Sequence, residues 1–379
     1  MFKKVVSYYI AVTLLICCLF STPVVAEKVV TNPKESVLVA GTADDAAVMQ
    51  FKSKSLILVD ATTGNVLLEK DPHKELPIAS ITKVMSMLII MEAIDSGNIS
   101  YNDIVQVSEN AYSFGGSQVY LKPGEEFTVA EMLKAVAIHS ANDATVALAE
   151  KVAGSEETFV SKMNEKAKQL GMKNTYFLDS SGLTDEGHYS TAYDIALMSR
   201  ELINKHAKVL DFTSIWMDSF RDGEFELVNR NKLVRFYEGA NGLKTGFTSK
   251  AGHCLAASAK RNNLQLISVV LGGPDSDTRF AESRKLLDYG FANFETIKFN
   301  SKGEKVQLID VQKGLEPGVN SIFANDVNFL LKKGSKDKVE KTIKLPESVT
   351  APVKAGQKLG EVVYKVNGKE IGKADLVAE

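Results

Sequence analysis

Three short strings in the chain combine residue types that can carry out acyl transfer: Ser80-Ile81-Thr82-Lys83, Ser140-Ala141-Asn142 and Lys244-Thr245-Gly246. A serine hydroxyl is a weak nucleophile until a neighbouring base takes its proton. Residues three apart on a helix are neighbours, with Cβ atoms roughly 5–6 Å apart, so the Ser80 hydroxyl and the Lys83 amine can meet. For that amine to act as a base at neutral pH, its pKa must fall from ~10.4 to ~7–8, about 3 units or roughly 4 kcal/mol of environment. The residues that follow (Val84, Met85, Met87, Leu88, Ile89, Ile90, Met91) leave little polar face, so a helix over Ser80–Ile94 should be buried. Burial disfavours a charged amine, and a cation in the first turn also opposes the helix dipole. The alternative, that Ser80 merely caps the helix, fits less well. A capping box calls for Glu or Gln where Lys83 stands.

The other two strings are weaker singly. Ser140-Ala141-Asn142 falls between two alanine-rich helices, where Ser140 or Asn142 could equally be an N-cap; in a catalytic site Ser140 would relay a proton and Asn142 would bond a substrate backbone. Lys244 and Thr245 side by side can hold a terminal carboxylate by charge and hydrogen bond, and Gly246 would let a substrate backbone lie close. Strand alternation points Lys244 and Thr245 to opposite faces, so both serve one site only if their strand edges a cleft. Otherwise Lys244 is a solvated edge lysine. The Ser-x-x-Lys pattern recurs at Ser335–Lys338, in a hydrophilic turn, and Ser-x-Asn recurs at Ser96–Asn98 and Ser108–Asn110, whereas Lys-Thr-Gly occurs once. No cofactor is expected: the five histidines are scattered without metal-ligand spacing, and no P-loop or GxGxxG occurs. A formal charge of −2 gives no general attraction to nucleic acid.

These strings need a scaffold, and 379 residues with 45% hydrophobic and 24% charged content can fold into two domains. Ser55–Asp60 and Asn65–Lys70 flank Ala61-Thr62-Thr63-Gly64 as a hairpin. Helical patterning recurs over 129–138, 143–152, 156–170, 191–205 and 277–291. Strands over 242–248, 252–260 and 264–273 form a meander. Strands at both ends of a helical middle predict an α+β fold, one antiparallel sheet built from the two chain ends and flanked by helices. This domain is expected over 51–297. From 298 to 379 short alternating strands with Gly and Pro punctuation predict a small all-β domain, within which Lys332–Lys344 reads as a solvated hairpin.

The N-terminus reads as an export signal: Lys3 and Lys4, an apolar run from Val5 to Phe20, then Val24 and Ala26 before a cut. Residues 1–26 are the expected leader and 27–50 a polar lead-in. Ile16 is too bulky for a lipoprotein signal before Cys17. Cys17 and Cys18 would leave with the leader, so only Cys254 would remain, in an apolar stretch that predicts a buried, inert thiol.

In this order the three strings resemble the penicillin-recognising serine enzymes, in which SxxK, SxN and KTG meet in one cleft. The longer stretches Pro77–Lys83, His139–Asp143 and Gly242–Thr248 are similar to those of the low-molecular-mass penicillin-binding proteins, the D-alanyl-D-alanine carboxypeptidases. Supporting stretches are Gly115-Gly116-Ser117, Phe177–Leu183 and Ser190-Thr191-Ala192, and the resemblance runs from Ser55 to Glu379. It implies that Ser80 attacks the penultimate D-alanine of a peptidoglycan stem peptide ending in D-Ala-D-Ala, with Lys83 taking its proton. The backbone N–H groups of Ser80 and Phe247 would form the oxyanion hole, ~3–4 kcal/mol per donor. Ser140 would pass a proton to the departing D-alanine, with Asn142, Lys244, Thr245 and Gly246 holding substrate and Arg230 and Arg279 as secondary carboxylate contacts. β-Lactams would imitate the dipeptide and leave a slowly cleared acyl-enzyme. The resemblance also implies an exported enzyme, at the outer face of the membrane or in the wall. A class A β-lactamase should carry Glu-x-x-Leu-Asn after the second string, where this chain has Leu178-Asp179-Ser180-Ser181-Gly182-Leu183. A transpeptidase uses the same residues, but a small accessory domain without a glycosyltransferase region favours hydrolysis. A non-enzymatic wall-binding protein would not need the intact catalytic set. Many relatives end in an amphipathic membrane helix, which Ala374–Glu379 does not form, so membrane attachment is left open.

Overall fold

A computed structural model describes residues 49–184 and 186–379. The expected leader, its cut after Ala26 and nearly all of the lead-in lie outside those residues.

Strand β1 (Ser55–Asp60) turns back into β2 (Val66–Lys70), and the turn is closed by Asp60, whose Oδ2 accepts from the Thr63 N–H (2.8 Å) and hydroxyl (2.6 Å). After the helical middle, β3 (Ala240–Thr248), β4 (Gly252–Arg261) and β5 (Leu264–Gly273) complete one antiparallel sheet in the order β2-β1-β5-β4-β3. The chain's early and late segments thus meet at β1 and β5, and β3 is left as an outer strand.

Both faces of this sheet are covered, which is why all six residues of β1 are buried. Ile57 and Val59 face one core with α1 (Lys83–Asp95) and α5 (Ala192–Lys205), and Leu56 and Leu58 face another with α6 (Ser276–Asn293). Between α1 and α5 the chain adds α2 (Val129–Lys134), α3 (Asn142–Ala153) and α4 (Glu156–Gln169). Helix α1 is buried almost throughout, as its unbroken apolar sequence requires. Capping side chains fix helix starts: the Thr191 hydroxyl accepts from the Asp194 N–H and the Asp275 carboxylate from the Thr278 N–H.

Helix α6 passes into β6 (Phe294–Asn300) without a linker. Beyond it lie β7 (Lys305–Gln312), β8 (Gly318–Phe323), β9 (Val327–Lys332), β10 (Val339–Lys344), β11 (Ser348–Thr350), β12 (Lys358–Val366) and β13 (Lys369–Ala378). Strands β6 and β9 pair with each other, and a six-stranded sheet runs β10-β12-β13-β8-β7-β11. Phe294 and Leu330 reach into the α6 core, so this β-rich part shares apolar packing with the larger sheet. The expected hairpin over Lys332–Lys344 is corrected here. β9 and β10 belong to different sheets, joined by a one-turn 3-10 segment at Lys336–Lys338, because β10 pairs with β12 and not with its chain neighbour. Among the described residues no helix is long and apolar enough to cross a membrane.

Candidate active site

Ser80 sits in a 3-10 turn, Ala79–Thr82, that runs directly into α1. Lys83, the first residue of α1, is completely buried, and its Nζ donates to three acceptors: Ser80 Oγ (3.1 Å), Asn142 Oδ1 (2.6 Å) and the Ser181 carbonyl (2.7 Å). Burial drives its pKa from 10.5 down to about 7, against the opposing pull of the Asp179 and Asp143 carboxylates. The amine is therefore poised between its two protonation states at neutral pH.

Ser140 and Asn142 stand beside this pair. Helix α2 continues into a π-helical turn, Ala135–His139, and ends at Ser140, whose backbone is left-handed (φ 70°, ψ 30°). Such a turn inserts one residue into the helical register and is frequent at functional sites. Asn142 opens α3, and its amide is fixed at both ends, with Oδ1 on Lys83 and Nδ2 donating to the Gly115 carbonyl (2.7 Å). Gly116 must be glycine there: its φ is +83°, and a Cβ would lie 2.8 Å from Asn142 Nδ2.

Strand β3 closes the other side. It is the outer strand, so Lys244 and Thr245, opposite Ala256 and Leu255 on consecutive pleats, both lie at the sheet edge. Lys244 is buried (2% exposed), and its Nζ donates to the Thr245 carbonyl at 3.2 Å. Among the described residues no carboxylate forms an ion pair with it. Burial, then the charges of Lys83, Arg279 and Arg230, push its pKa well below the usual lysine value. The close approach that Gly246 permits is to the protein's own backbone: a Cβ there would meet the Ile78 carbonyl at 2.7 Å, so the glycine lets β3 press on the turn carrying Ser80. Phe247 is 59% exposed and stacks on His253 (centroids 4.4 Å apart). Arg279 donates to the Gly246 and Cys254 carbonyls, 3.0 and 3.3 Å away, which commits its guanidinium to β3 and β4. Arg230 is exposed beside His139. Cys254 is buried, its Sγ near the Ala251 carbonyl at 3.7 Å.

The competing copies of the motifs have ordinary structural roles. Ser108 caps a short helix by accepting from the Ala111 N–H, and Ser335 precedes the isolated 3-10 turn.

The sequence reading named Phe177–Leu183 as a supporting stretch but gave Asp179 no role behind Lys83. One oxygen of Asp179 accepts from the N–H groups of Ser181 (2.8 Å), Gly182 (2.5 Å) and Leu183 (3.2 Å) and from the Ser181 hydroxyl (2.9 Å); the other accepts from the Thr184 N–H (2.8 Å). Burial alone would raise this carboxyl, but the hydrogen bonds from the Thr184 N–H and from the Thr184 and Ser181 hydroxyls hold it at about 2. Glu156 at the start of α4 accepts from the Ser180 N–H and hydroxyl and anchors the same loop. An Asp followed by Ser-Ser-Gly is the signature of a side chain bonding the backbone ahead of it, and that signal was available.

Gly182 in this loop is the tightest contact of the site. Its φ is +77°, and a Cβ would lie 2.0 Å from the Ala79 carbonyl oxygen and 2.6 Å from Thr82 Oγ1. Gly182→Ala is expected to cost roughly 2–5 kcal/mol, adding left-handed strain to overpacking, and to slow acylation by penicillin. Gly154 is the control: its φ is +82° but nothing lies within 4 Å, so Gly154→Ala should cost only ~1–2 kcal/mol in urea unfolding.

Comparison with known proteins shows the family of the chain. Residues 41–275 match the D-alanyl-D-alanine carboxypeptidase family, and residues 294–379 match the C-terminal domain of penicillin-binding protein 5. The chain is 45% identical over 335 residues to D-alanyl-D-alanine carboxypeptidase DacF of Bacillus subtilis, covering 87% of this chain and 86% of that one. It is 34% identical over 339 residues to D-alanyl-D-alanine carboxypeptidase DacA of Escherichia coli, covering 87% and 83%. The solved structure of penicillin binding protein 5 from Haemophilus influenzae aligns with a TM-score of 0.77 at 34% identity, over 87% of this chain and 97% of that one. Penicillin-binding protein D2 from Listeria monocytogenes, solved in its ampicillin-bound form, aligns over 64% of this chain and 98% of its own, with a TM-score of 0.59 and 31% identity. The helix-covered antiparallel sheet, with a serine and a buried lysine at its edge, is the architecture of the penicillin-recognising serine peptidases. Within that class the chain belongs to the D-alanyl-D-alanine carboxypeptidase family, the low-molecular-mass penicillin-binding proteins.

Proposed function

We infer that this chain is a penicillin-binding serine D-alanyl-D-alanine carboxypeptidase that removes the terminal D-alanine from peptidoglycan stem pentapeptides through an acyl-serine intermediate. The observation that carries the mechanism is the fully buried Lys83 amine, 3.1 Å from Ser80 Oγ and held near a pKa of 7. Neutral Lys83 takes the hydroxyl proton as Ser80 Oγ attacks the penultimate carbonyl. The N–H groups of Ser80 and Phe247 receive the developing oxyanion. As the C–N bond breaks, Ser140 passes a proton to the leaving amine, and Lys244 with Thr245 holds the departing carboxylate. Burial disfavours the charged form of the Lys244 amine and an anionic ligand beside it favours that form, which suits a substrate ending in a free carboxylate. Asn142 and Gly246 line the substrate's path. Water then cleaves the Ser80 ester.

The Asp179 loop favours a slowly clearing penicillin adduct over rapid β-lactam hydrolysis. A general base for deacylation must be free to take a proton near neutrality, and the Asp179 carboxylate is saturated with donors and held at about 2. The leader expected over residues 1–26 would deliver the enzyme to the outer face of the cytoplasmic membrane or the cell wall.

The test is D-alanine release from a pentapeptide ending in D-Ala-D-Ala, with penicillin as a parallel substrate. Release of one D-alanine per peptide, with penicillin bound and turned over slowly, is the expected result. Rapid penicillin hydrolysis without D-alanine release would identify a β-lactamase instead.

A further inference from the structure

Ala79, immediately before Ser80, has φ +48°, a left-handed backbone that an alanine adopts only when its surroundings hold it there. One contact holding it is the Thr82 hydroxyl, which donates to the Ala79 carbonyl at 2.8 Å. That hydroxyl has a single proton, now spent, so its second contact, His188 Nε2 at 2.7 Å, must donate to it. The far side of the ring agrees independently. The Leu178 N–H points at His188 Nδ1 at 3.1 Å, so Nδ1 accepts and the ring proton sits on Nε2. The ring is 1% exposed and fixed in orientation by Phe177, edge to face with centroids 5.6 Å apart. A directed chain therefore runs from the Leu178 N–H through His188 and Thr82 to the Ala79 carbonyl, the atom that also abuts Gly182.

We propose that His188 is a positioning residue for the nucleophile: through Thr82 it holds the Ala79 turn from which Ser80 faces Lys83. It touches neither Ser80 nor Lys83, and its action is on the aim of the hydroxyl. This inference rests on Ser80 being the acylated residue.

The halves of the ring can be tested separately. In His188→Gln the side-chain amide can still donate toward Thr82, whereas in His188→Asn the shorter side chain keeps an acceptor near the Leu178 N–H and cannot reach Thr82. The full chain is assayed for the rate of penicillin acylation, for KM and kcat on a D-Ala-D-Ala peptide, and for thermal unfolding. His188→Gln should acylate within about threefold of wild type. His188→Asn and Thr82→Val should be slowed roughly a hundredfold, the scale of an ångström-sized misplacement of a reacting group, with KM little changed. Thr82→Ser keeps the hydroxyl and should stay near wild type. In the Thr82→Val/His188→Asn double variant the losses should not multiply, because both cut one chain. Wild-type acylation in His188→Asn, an equal loss in His188→Gln, or multiplying losses would overturn the proposal. If His188→Asn does not fold, the Thr82→Val and Thr82→Ser pair decides alone: equal acylation rates in the two refute it. Mass spectrometry of the wild-type adduct separates this from the reading beneath it, since a penicilloyl group elsewhere than Ser80 defeats that reading first.

Discussion

Ser80→Ala will release no measurable D-alanine and carry no covalent penicillin, a loss on the order of 10⁴–10⁶ in turnover. The size of the effect follows from the lack of a substitute. Ser80 is the only hydroxyl among the Lys83 acceptors; the others are the Asn142 side-chain oxygen and the Ser181 carbonyl, and neither can form an ester with substrate. Ser140 lies near, but its hydroxyl is not bonded to Lys83 and belongs to a left-handed residue at the end of a π-turn. Ser80 is partly exposed, so its loss should leave unfolding within about 0.5 kcal/mol of wild type. Non-covalent penicillin binding should survive, because Lys244, Thr245 and Asn142 are untouched. An adduct on another residue of the variant would sink the assignment.

Lys83→Met should be nearly as damaging to activity, with acylation down by 10²–10⁴, the usual worth of a general base. Methionine fills a similar volume in the buried position but cannot take a proton. In the wild type, acylation should rise about tenfold per pH unit up to about 7, where Lys83 loses its proton, and then level off; the variant should lack this limb. Stability should respond to pH over a different window from activity. The folded pKa of Lys83 lies below its unfolded value, so between about 7 and 10.5 the unfolded chain binds more protons. Wild-type stability therefore rises with pH across that window, by at most ~1.4 kcal/mol per unit from this group, and below it the whole penalty remains. Lys244 is shifted in the same direction and leaves its own slope in the variant. Urea unfolding at pH 6 and pH 9 should show the smaller pH dependence in Lys83→Met. Equal slopes in the two proteins would mean that Lys83 is not depressed.

Much of this was legible before the fold. The apolar run of α1, the hairpin at Ala61–Gly64 and the meander over β3 to β5 follow from local patterning, and each lies where the sequence put it to within a few residues. The three motifs were readable because each packs its chemistry into adjacent or helix-spaced positions. What escaped was long-range or conformational. The loop from Asp179 to His188 acts on residues a hundred positions earlier, and no spacing rule links His188 to Thr82. The left-handed backbones of Ala79 and Ser140 leave no trace in residue type, since neither is glycine, and both are imposed by neighbours. The sequence proposed Gly246 for the substrate and did not foresee its close neighbour, the Ile78 carbonyl, a contact made only once β3 is docked. The stretch Lys332–Lys344 misled because alternation announces strands but not their partners.

The position of β3 at the rim of its sheet has a consequence for what the enzyme counts. An open strand edge is a template along which an extended peptide can lie, advancing ~3.3 Å per residue. A peptide there could slide, since backbone pairing alone does not distinguish one residue from the next. In the proposed mechanism the Lys244 amine binds the terminal carboxylate of the substrate, and that anchor removes the freedom. On that proposal the site behaves as a ruler with its zero at the carboxylate and its one working mark at Ser80. A peptide that continued past the zero would offer the buried Lys244 amine a neutral amide in place of a carboxylate. Trimming one residue and stopping is then a matter of register, written into the edge of a sheet rather than into a pocket for a side chain.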